Sequence, residues 1–398
     1  MSDLLRETWI TGIGIVSCLG EGPQAHWQHL NEPPPQPDCL AFAPYVVHRL
    51  APIEFDKQIP KKGDQRQMET WQRIGTYAAG LALDSAAAKG RTELLARMDM
   101  IVAAGGGELD EAVDATILSG LAEAEQPGVF LNEALMSGLR PTLFLAQLSN
   151  LLAGNISIVH GVTGSSRTFM GEEAAGIDAV RVALSRIEAG QSDIILVGGA
   201  HNGERKDLLL LYEFGGYALK ASFAPVWERS ARGGGIALGS LGAFLVLEAR
   251  EHAMARDAKP FARLSRVVSD RCRRHAGDTA ASLSRLWQRL ESLVSTKHLA
   301  VISGATGAEP ATAEERAWLE TLAGVPARAT GTYLGHGFEP QFAMNIAIAA
   351  LALGQETLFP PGDSSGVEQV VRRRLGQIVV TGVGHWRGEG MALLEQAR

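Results

Sequence analysis

The sequence contains few cysteines. Among its 398 residues, the three cysteines (Cys18, Cys39 and Cys272) form no Cys-x-x-Cys pair and no cluster with histidine. This spacing excludes a disulfide framework and indicates no metal site. Low cysteine use is typical of a reducing compartment, so we expect a cytoplasmic protein whose thiols are inert.

Excess positive charge and long apolar runs are also missing. The formal net charge is −7, which argues against a general nucleic-acid binder because such a protein needs a basic face. The longest apolar stretch, FAMNIAIAALALG from Phe342, is too short for a bilayer and predicts a buried helix. The N-terminus has an acidic residue at position 3 and a glycine-broken apolar run, unlike a signal peptide. We therefore expect no transmembrane segment.

Short apolar runs that end in glycine alternate with alanine- and leucine-rich stretches of helical period. This alternation predicts α/β layers around mostly parallel sheets. The predicted strands are WITGIGIVS, MIVAAGGGE, DIILVGGA, AFLVLEA, LAVISGATG and QIVVTGVG. The predicted helices include TWQRIGTYAAGLALDSAAA from Thr70 and AAGIDAVRVALSRIEAG from Ala174, whereas KKGDQRQ from Lys61 is predicted to be a polar loop.

Two segments share one plan of apolar strand, small-residue turn and acidic helix start. They are MDMIVAAGGGELD and KHLAVISGATGAE. We interpret them as corresponding elements of two related halves that meet near residue 250. The predicted domains are therefore 1–250 and 251–398.

Several segments, in order, resemble the β-ketoacyl-acyl-carrier-protein synthases, the condensing enzymes of the thiolase fold. They are WITGIGIVSCLGEG, LSNLLAGNISIVHGVTG, AGQSDIILVGGA and RGGGIALGSLGAFLVLEAREHAMARDAKPFARL. The resemblance implies a thiolase-like five-layer αβαβα sandwich of two duplicated halves. It also implies a dimer that handles acyl chains on the phosphopantetheine arm of an acyl carrier protein, with no cofactor of its own.

The family's catalytic groups are a cysteine at a helix N-terminus, two histidines and a lysine, and this chain departs from that set. Counting nine residues on from Gly164, or three back from Gly176, gives Glu173 at the nucleophile's position. When the chain is aligned on the family's other motifs, Ala305 stands at the position of the first histidine and Gly331 at that of the lysine. His336 stands at the position of the second histidine, which is therefore retained. The gating loop, at Val383 and Gly384, is altered because Val383 stands where the family usually has phenylalanine, and His385 cannot be carried over as catalytic.

Each of these residues has a second interpretation. Glu173 is either a structural plug or helix cap, which a helix N-terminus favours, or a participant in altered chemistry. His336 is either part of a working site or a remnant bonded to backbone. A basic run could dock an acidic carrier protein or partner, or could be a solvated face; its members are Lys259, Arg263, Arg266, Arg271, Arg273 and Arg274. Arg372–Arg374 more simply cap a helix end.

The resemblance and the altered site together favour a subunit that does not condense by itself. It would pair with an active ketosynthase, or with itself, and shape the acyl tunnel, as chain-length factors do. The segment from Phe55 to Ala86 is most similar to ketosynthase-like proteins that build very-long-chain acyl groups for lipid A. Two alternatives are an enzyme of altered chemistry, a malonyl-carrier decarboxylase or acyl-carrier hydrolase using Glu173 and His336, and a stand-alone acyl-carrier binding module.

Overall fold

The computed structural model describes residues 5–140, 143–220 and 222–397. The strands are β1 (Thr8–Ser17), β2 (Gly20–Glu21), β3 (Val47–His48), β4 (Asp99–Ala103), β5 (Ser166–Phe169), β6 (Ile194–His201), β7 (Leu238–Gly239), β8 (Leu241–Ala249), β9 (Ala262–Asp270), β10 (Leu299–Ser303), β11 (Ala327–Ala329), β12 (Gln377–Val383) and β13 (Glu389–Glu395).

The helices are α1 (Gly22–Leu30), α2 (Lys62–Gln67), α3 (Thr70–Ser85), α4 (Thr92–Arg97), α5 (Glu111–Leu121), α6 (Pro127–Gly138), α7 (Leu143–Ala146), α8 (Leu151–His160), α9 (Glu172–Glu188), α10 (Lys206–Phe214), α11 (Arg250–Ala255), α12 (Asp278–Gln288), α13 (Ala311–Thr321), α14 (Gly331–Leu334) and α15 (Gln341–Gly354). No helix in the described ranges has both the length and the apolar character to cross a bilayer.

The main sheet contains the same strand arrangement twice. Its order is β11-β10-β12-β13-β9-β1-β8-β6-β4-β5, with β2 paired to β1. In one half, β4 pairs in parallel with β5 and β6, and β6 is followed by the antiparallel strands β8 and β1. In the other half, β10 pairs in parallel with β11 and β12, and the antiparallel strands β13 and β9 follow. Strands β4 and β10, from the two segments of shared plan, therefore occupy equivalent places.

Two buried helices form the middle layer. Helices α9 and α15 pack on each other, and each contacts strands of both halves of the sheet. Helix α15 is apolar on nearly all sides, which is possible only because both strand layers cover it. Helix α3 packs outside β1 and β8, and α12 and α13 pack outside β13 and β12. The resulting order of layers is helix, sheet, helix, sheet, helix, as expected.

The prediction that the polar segment KKGDQRQ forms a loop is wrong. Residues 62–67 form α2, a short helix with no buried residue. Its helical period carries no apolar stripe, so hydrophobic periodicity cannot reveal it. The following helix α3 begins as predicted, and a capping box between Glu69 and Gln72 fixes its start.

The buried carboxyl group of Glu315 links β10 to β12, the strands that precede Ala305 and the gating loop. The hydroxyls of Ser303, at the end of β10, and Thr381, in β12, both donate to Glu315 Oε1, at 2.8 and 2.5 Å. Burial raises the pKa of Glu315 to about 7, although the two hydroxyl groups favour its ionised form.

We predict that Glu315→Gln stabilises the protein more at pH 8 than at pH 5. The folded state keeps Glu315 protonated up to about pH 7, whereas the unfolded chain ionises it near pH 4.5, so wild-type stability falls as pH rises between these values. Thermal melting of both proteins from pH 5 to 8 measures this difference. The control is Glu320→Gln on the exposed face of α13. If Glu315→Gln changed the melting temperature by the same amount at pH 5 and pH 8, the prediction would be refuted.

Candidate functional site

The site lies where α9 begins. Gly171 precedes the helix with φ of +130°, a backbone conformation that favours glycine, and it turns the chain from β5 into α9. Glu172 follows with φ of +56°, and Glu173 lies in the first helical turn with 4% of its surface exposed. The predicted position of the nucleophile is therefore a buried helix N-terminus, and a carboxylate occupies it.

The Glu173 carboxylate is bonded to two distant segments. Its Oε1 accepts from His336 Nε2 at 2.8 Å, from His385 Nδ1 at 3.1 Å and from the backbone N–H of His385 at 3.2 Å. Its Oε2 has no hydrogen-bond partner among the described residues. The N-cap residue of α9 is Gly171, and no side-chain hydrogen bond caps the start of this helix. Glu173 thus bridges segments and does not cap α9.

Glu173 and His385 each stabilise the charged form of the other. Burial would raise the pKa of Glu173, but the positive charge and hydrogen bonds of His385 and His336 outweigh it and hold that pKa far below its usual value. Burial would lower the pKa of His385, but Glu173 and Glu172 outweigh that effect and raise it. Because a carboxylate whose pKa lies far below neutrality is a weak base, Glu173 is poorly matched to general acid–base chemistry near pH 7.

Glu172 closes the outer side of the cluster. Its Oε1 accepts from the Tyr212 hydroxyl at 3.1 Å, and its Oε2 accepts from the indole N–H of Trp386 at 2.6 Å. Tyr212 stacks on Phe338 with ring centroids 4.6 Å apart, and Phe338 meets the His336 ring edge-on at 4.7 Å. Aromatic rings and hydrogen bonds therefore cover Glu173 from outside.

The positions predicted for the family's first histidine and lysine, Ala305 and Gly331, lie in aliphatic packing. A Cβ at Gly331 would lie 3.1 Å from Val226 Cγ2 and 3.2 Å from the Ala305 carbonyl oxygen, so residues 305 and 331 are neighbours. Ala305, Val226 and Val383 belong to one buried apolar cluster. The first carbon of any side chain at residue 331 would therefore press on Val226 and on the Ala305 carbonyl.

The altered gating loop packs tightly against α9. Val383 is buried, and the Gly384 N–H donates to the Gly388 carbonyl at 2.8 Å. A Cβ at Gly388 would lie 2.7 Å from Ala174 Cβ. The tight turn from 384 to 388 holds His385 over Glu173.

The basic run is spread over several environments. Arg274 is paired with buried Glu389 at 2.6 Å, and Arg271 is paired with Asp178 at 3.2 Å. Arg263 lies 3.9 and 3.8 Å from Glu7 and Glu395. Lys259 and Arg273 are exposed and Arg266 is half-buried. Carrier docking by this run stays a prediction.

The cysteines lie apart from the cluster. Burial raises the pKa of the Cys18 thiol to about 12, and burial together with Glu389 raises that of Cys272 to about 11. A thiol with such a raised pKa is a poor nucleophile at neutral pH. Cys39, near the surface, is a third free thiol.

Sequence reasoning missed the residues that enclose Glu173. His385, Tyr212, Trp386 and Phe338 lie 39 to 213 positions from it and carry no local motif. The only available signal was that His385 follows the altered gating loop. The ring of His336 bonds to Glu173, while its backbone N–H donates to the Ala237 carbonyl and its carbonyl accepts from the Gly239 N–H. Whether this histidine is part of a working site or a remnant stays a matter of prediction.

Comparison with known proteins gives the family. The family profile described as the N-terminal domain of β-ketoacyl synthase matches residues 6–253. The chain belongs to the β-ketoacyl synthase family.

Relatives of this β-ketoacyl synthase homologue include 3-oxoacyl-[acyl-carrier-protein] synthase 2 of Vibrio harveyi, 26% identical over 65% of this chain and 61% of that protein. Nodulation protein E of Rhizobium leguminosarum bv. trifolii is 26% identical over 66% of this chain and 63% of that protein. The match thus spans about six tenths of the length of these relatives.

Solved structures match over nearly the whole chain. The ishigamide ketosynthase/chain length factor aligns with a TM-score of 0.78 and 20% identity over 99% of this chain and 100% of that one. A β-ketoacyl synthase from Burkholderia phymatum aligns with a TM-score of 0.78 and 18% identity over the same shares. The fold is therefore the thiolase-like fold of the ketosynthases, as the resemblance implied.

We predict that Gly331→Lys, which introduces lysine at the position predicted for the family's lysine, destabilises the protein by at least about 3 kcal/mol. Its side chain would overpack Val226 and bury an unpaired ammonium. The urea midpoint measures the loss, and Val226→Ala added to Gly331→Lys should recover part of it. Gly354→Lys, at an open and exposed position, is the matched control. A Gly331→Lys midpoint equal to that of the control would contradict the prediction.

Proposed function

We propose that the protein is a non-condensing ketosynthase-like subunit that pairs with an active β-ketoacyl-acyl-carrier-protein synthase and shapes its acyl tunnel. The observation that carries the proposal is the Glu173 carboxylate, buried at the helix N-terminus and bonded to His336 and His385. In this position it fills the place of an attacking thiolate and bonds the retained histidine.

The chemistry of condensation supports the non-condensing role. Acyl transfer needs a nucleophile, and a carboxylate would form only a reactive anhydride. Stabilising the enolate left by decarboxylation needs hydrogen-bond donors at the reacting oxygen. Ala305 and Gly331 supply no side-chain donor, and His336 is already bonded to Glu173.

An edge strand supports pairing with a partner. Among the described strands, β5 pairs with β4 alone, and the carbonyls of Ser165 and Phe169 accept from Met100 and Ala104 on that side. Because backbone groups alternate along a strand, those of Ser166 and Thr168 face outward. Apolar side chains stand exposed beside this edge, with Ile158 70% and Met170 66% exposed. An exposed strand edge with apolar neighbours is a template for pairing with another chain.

The proposed carrier of the substrate is a phosphopantetheinylated acyl carrier protein, with the chain itself in the cytoplasm. The similarity of the fold to that of the ishigamide ketosynthase/chain length factor is consistent with this role. Very-long-chain acyl synthesis is the finer prediction, based on the segment from 55 to 86.

Co-expression with a catalytically complete ketosynthase of the same organism tests the proposal. We expect a one-to-one complex that elongates acyl chains from malonyl-carrier, and an isolated subunit that does not. Recovery of two separate homodimers, or loss of carbon dioxide from malonyl-carrier with the isolated subunit, would overturn it. Hydrolysis of acyl-carrier by the isolated subunit would instead favour the altered enzyme.

We predict that Thr168→Pro disrupts the complex while the subunit remains folded. Proline removes the outward N–H of this edge strand and leaves the bonds to β4 intact. Thr168→Val keeps the N–H and is the matched control. Co-purification yield measures pairing, and circular dichroism checks folding. Equal yields with folded Thr168→Pro and Thr168→Val would show that β5 is outside the interface.

A further inference from the structure

A hairpin of two helices, α5 and α6, follows β4 in the chain. The two helices pack on each other through small residues. A Cβ at Gly120 would lie 2.2 Å from Phe130 Cζ, so the phenylalanine ring rests on this glycine. A Cβ at Gly138 would lie 3.2 Å from Val113 Cγ1. The inner faces of the two helices therefore hold the hairpin together.

The hairpin also exposes large apolar side chains. Helix α6 has no buried residue, although its sequence PGVFLNEALMSG is rich in apolar residues. Leu118 on α5 is 69% exposed, and Met136 on α6 is 79% exposed. A concentration of exposed apolar side chains on one part of a soluble chain marks an interaction surface. The other exposed members in the hairpin and in α7 are Val129, Leu135, Phe144 and Leu145.

The charge of the hairpin has one sign. Residues 98–139 contain no lysine, arginine or histidine. Glu111 is paired with Lys206 of α10 at 3.7 Å, and none of the other carboxylates of the hairpin belongs to an ion pair in the described parts of the chain. The acidic residues of the hairpin are Asp110, Glu111, Asp114, Glu123, Glu125 and Glu133.

This combination of charge and apolar surface selects the occupant. Two copies of the chain that met through this hairpin would bring their acidic clusters together, and like charges that face each other destabilise an interface. An acidic carrier protein, an anionic membrane and a nucleic acid are disfavoured for the same reason. The surface is complementary to a protein that presents basic side chains around an apolar patch.

The hairpin adjoins the sheet edge proposed above for pairing. The Ala104 N–H, directly after β4, donates to the Phe169 carbonyl at the end of β5 at 3.0 Å. The next residue, Gly105, accepts from the Ser149 hydroxyl at 2.7 Å, and the chain then reaches the start of the hairpin at Asp110. One partner can therefore cover both the outward edge of β5 and the hairpin.

We propose that the α5–α6 hairpin docks the ketosynthase partner, and that the partner meets it with a basic and apolar surface. The apolar side chains of the hairpin supply buried area, and its carboxylates select a partner of opposite charge over a second copy of this chain. The inference rests on the proposed function, since it names the surface and the chemistry by which that partner binds.

The affinity of separately purified ketosynthase for hairpin variants tests the proposal. We expect the double variant Leu118→Ser with Met136→Ser to weaken the complex more than about tenfold, because apolar contacts with the partner are lost. Neither side chain is buried in the isolated subunit, so its circular dichroism and melting temperature should stay those of the wild type. Met254→Ser, at an exposed apolar position on α11, is the matched control.

Neutralising the carboxylates distinguishes a basic partner from a second copy. The triple variant Glu123→Gln, Glu125→Gln and Glu133→Gln should weaken the ketosynthase complex about tenfold at low NaCl concentration and less at high concentration, because salt screens the attraction. In analytical ultracentrifugation this variant should self-associate at least as strongly as the wild type, because repulsion between copies is reduced. The control is the triple variant of three exposed carboxylates elsewhere, Glu54→Gln, Glu251→Gln and Glu320→Gln.

The outcomes separate this inference from the proposed function. If the complex forms and both hairpin variants bind with wild-type affinity, the inference is wrong and the proposed function stands. If the wild-type chains form no complex, both are wrong. A homodimer of the isolated chain that Leu118→Ser with Met136→Ser dissociates, or binding of an acyl carrier protein that this variant abolishes, would assign the hairpin to another occupant and overturn the inference.

Discussion

The buried Glu173 carboxylate, which is hydrogen-bonded to two histidines, is the constraint on which the site depends. A carboxylate enclosed to 4% exposure is tolerated only where opposite charge and hydrogen bonds replace water; both histidines donate hydrogen bonds, and His385, whose pKa is raised, supplies the charge. Each histidine comes from a different segment, so the pair joins the start of α9 to the chain before α15 and to the turn after β12. Removing one partner would leave a buried charge unpaired.

The rest of the site follows from that pairing. His385 can reach Glu173 only because the turn from 384 to 388 is tight, and glycine at 388 lets the turn rest on Ala174. Glu172, next along the chain, is then directed outward to Tyr212 and Trp386. The condensing geometry of the family needs an open path to its nucleophile. Here the same backbone holds a charged, covered cluster with aliphatic packing beside it.

Much of the fold and one key residue could be predicted from local pattern. Alternating strand and helix periods predicted the layers. Glycine spacing gave the prediction that Glu173 stands at the nucleophile's position, and close backbone approaches at Gly164 and Gly176 require glycine at both counting points. The polar helix α2 was missed because it buries nothing. The structural interpretation of Glu173 was a plug or a helix cap, and its hydrogen bonds do not support the cap: the helix N-terminus is real, but the carboxylate bonds to His336 and His385, which the local sequence cannot reveal.

The sequence by itself determined which chemical groups are present: Glu173, Ala305, Gly331 and His336. That they stand at the positions of the family's cysteine, first histidine, lysine and second histidine stays a prediction. Short-range spacing carries that information, since turns and helix starts are local. Only the tertiary structure decided what those groups do together. His385, Trp386 and Tyr212 meet Glu172 and Glu173 through sheet order and layer packing, and long-range contacts of that kind leave no periodic trace along the chain.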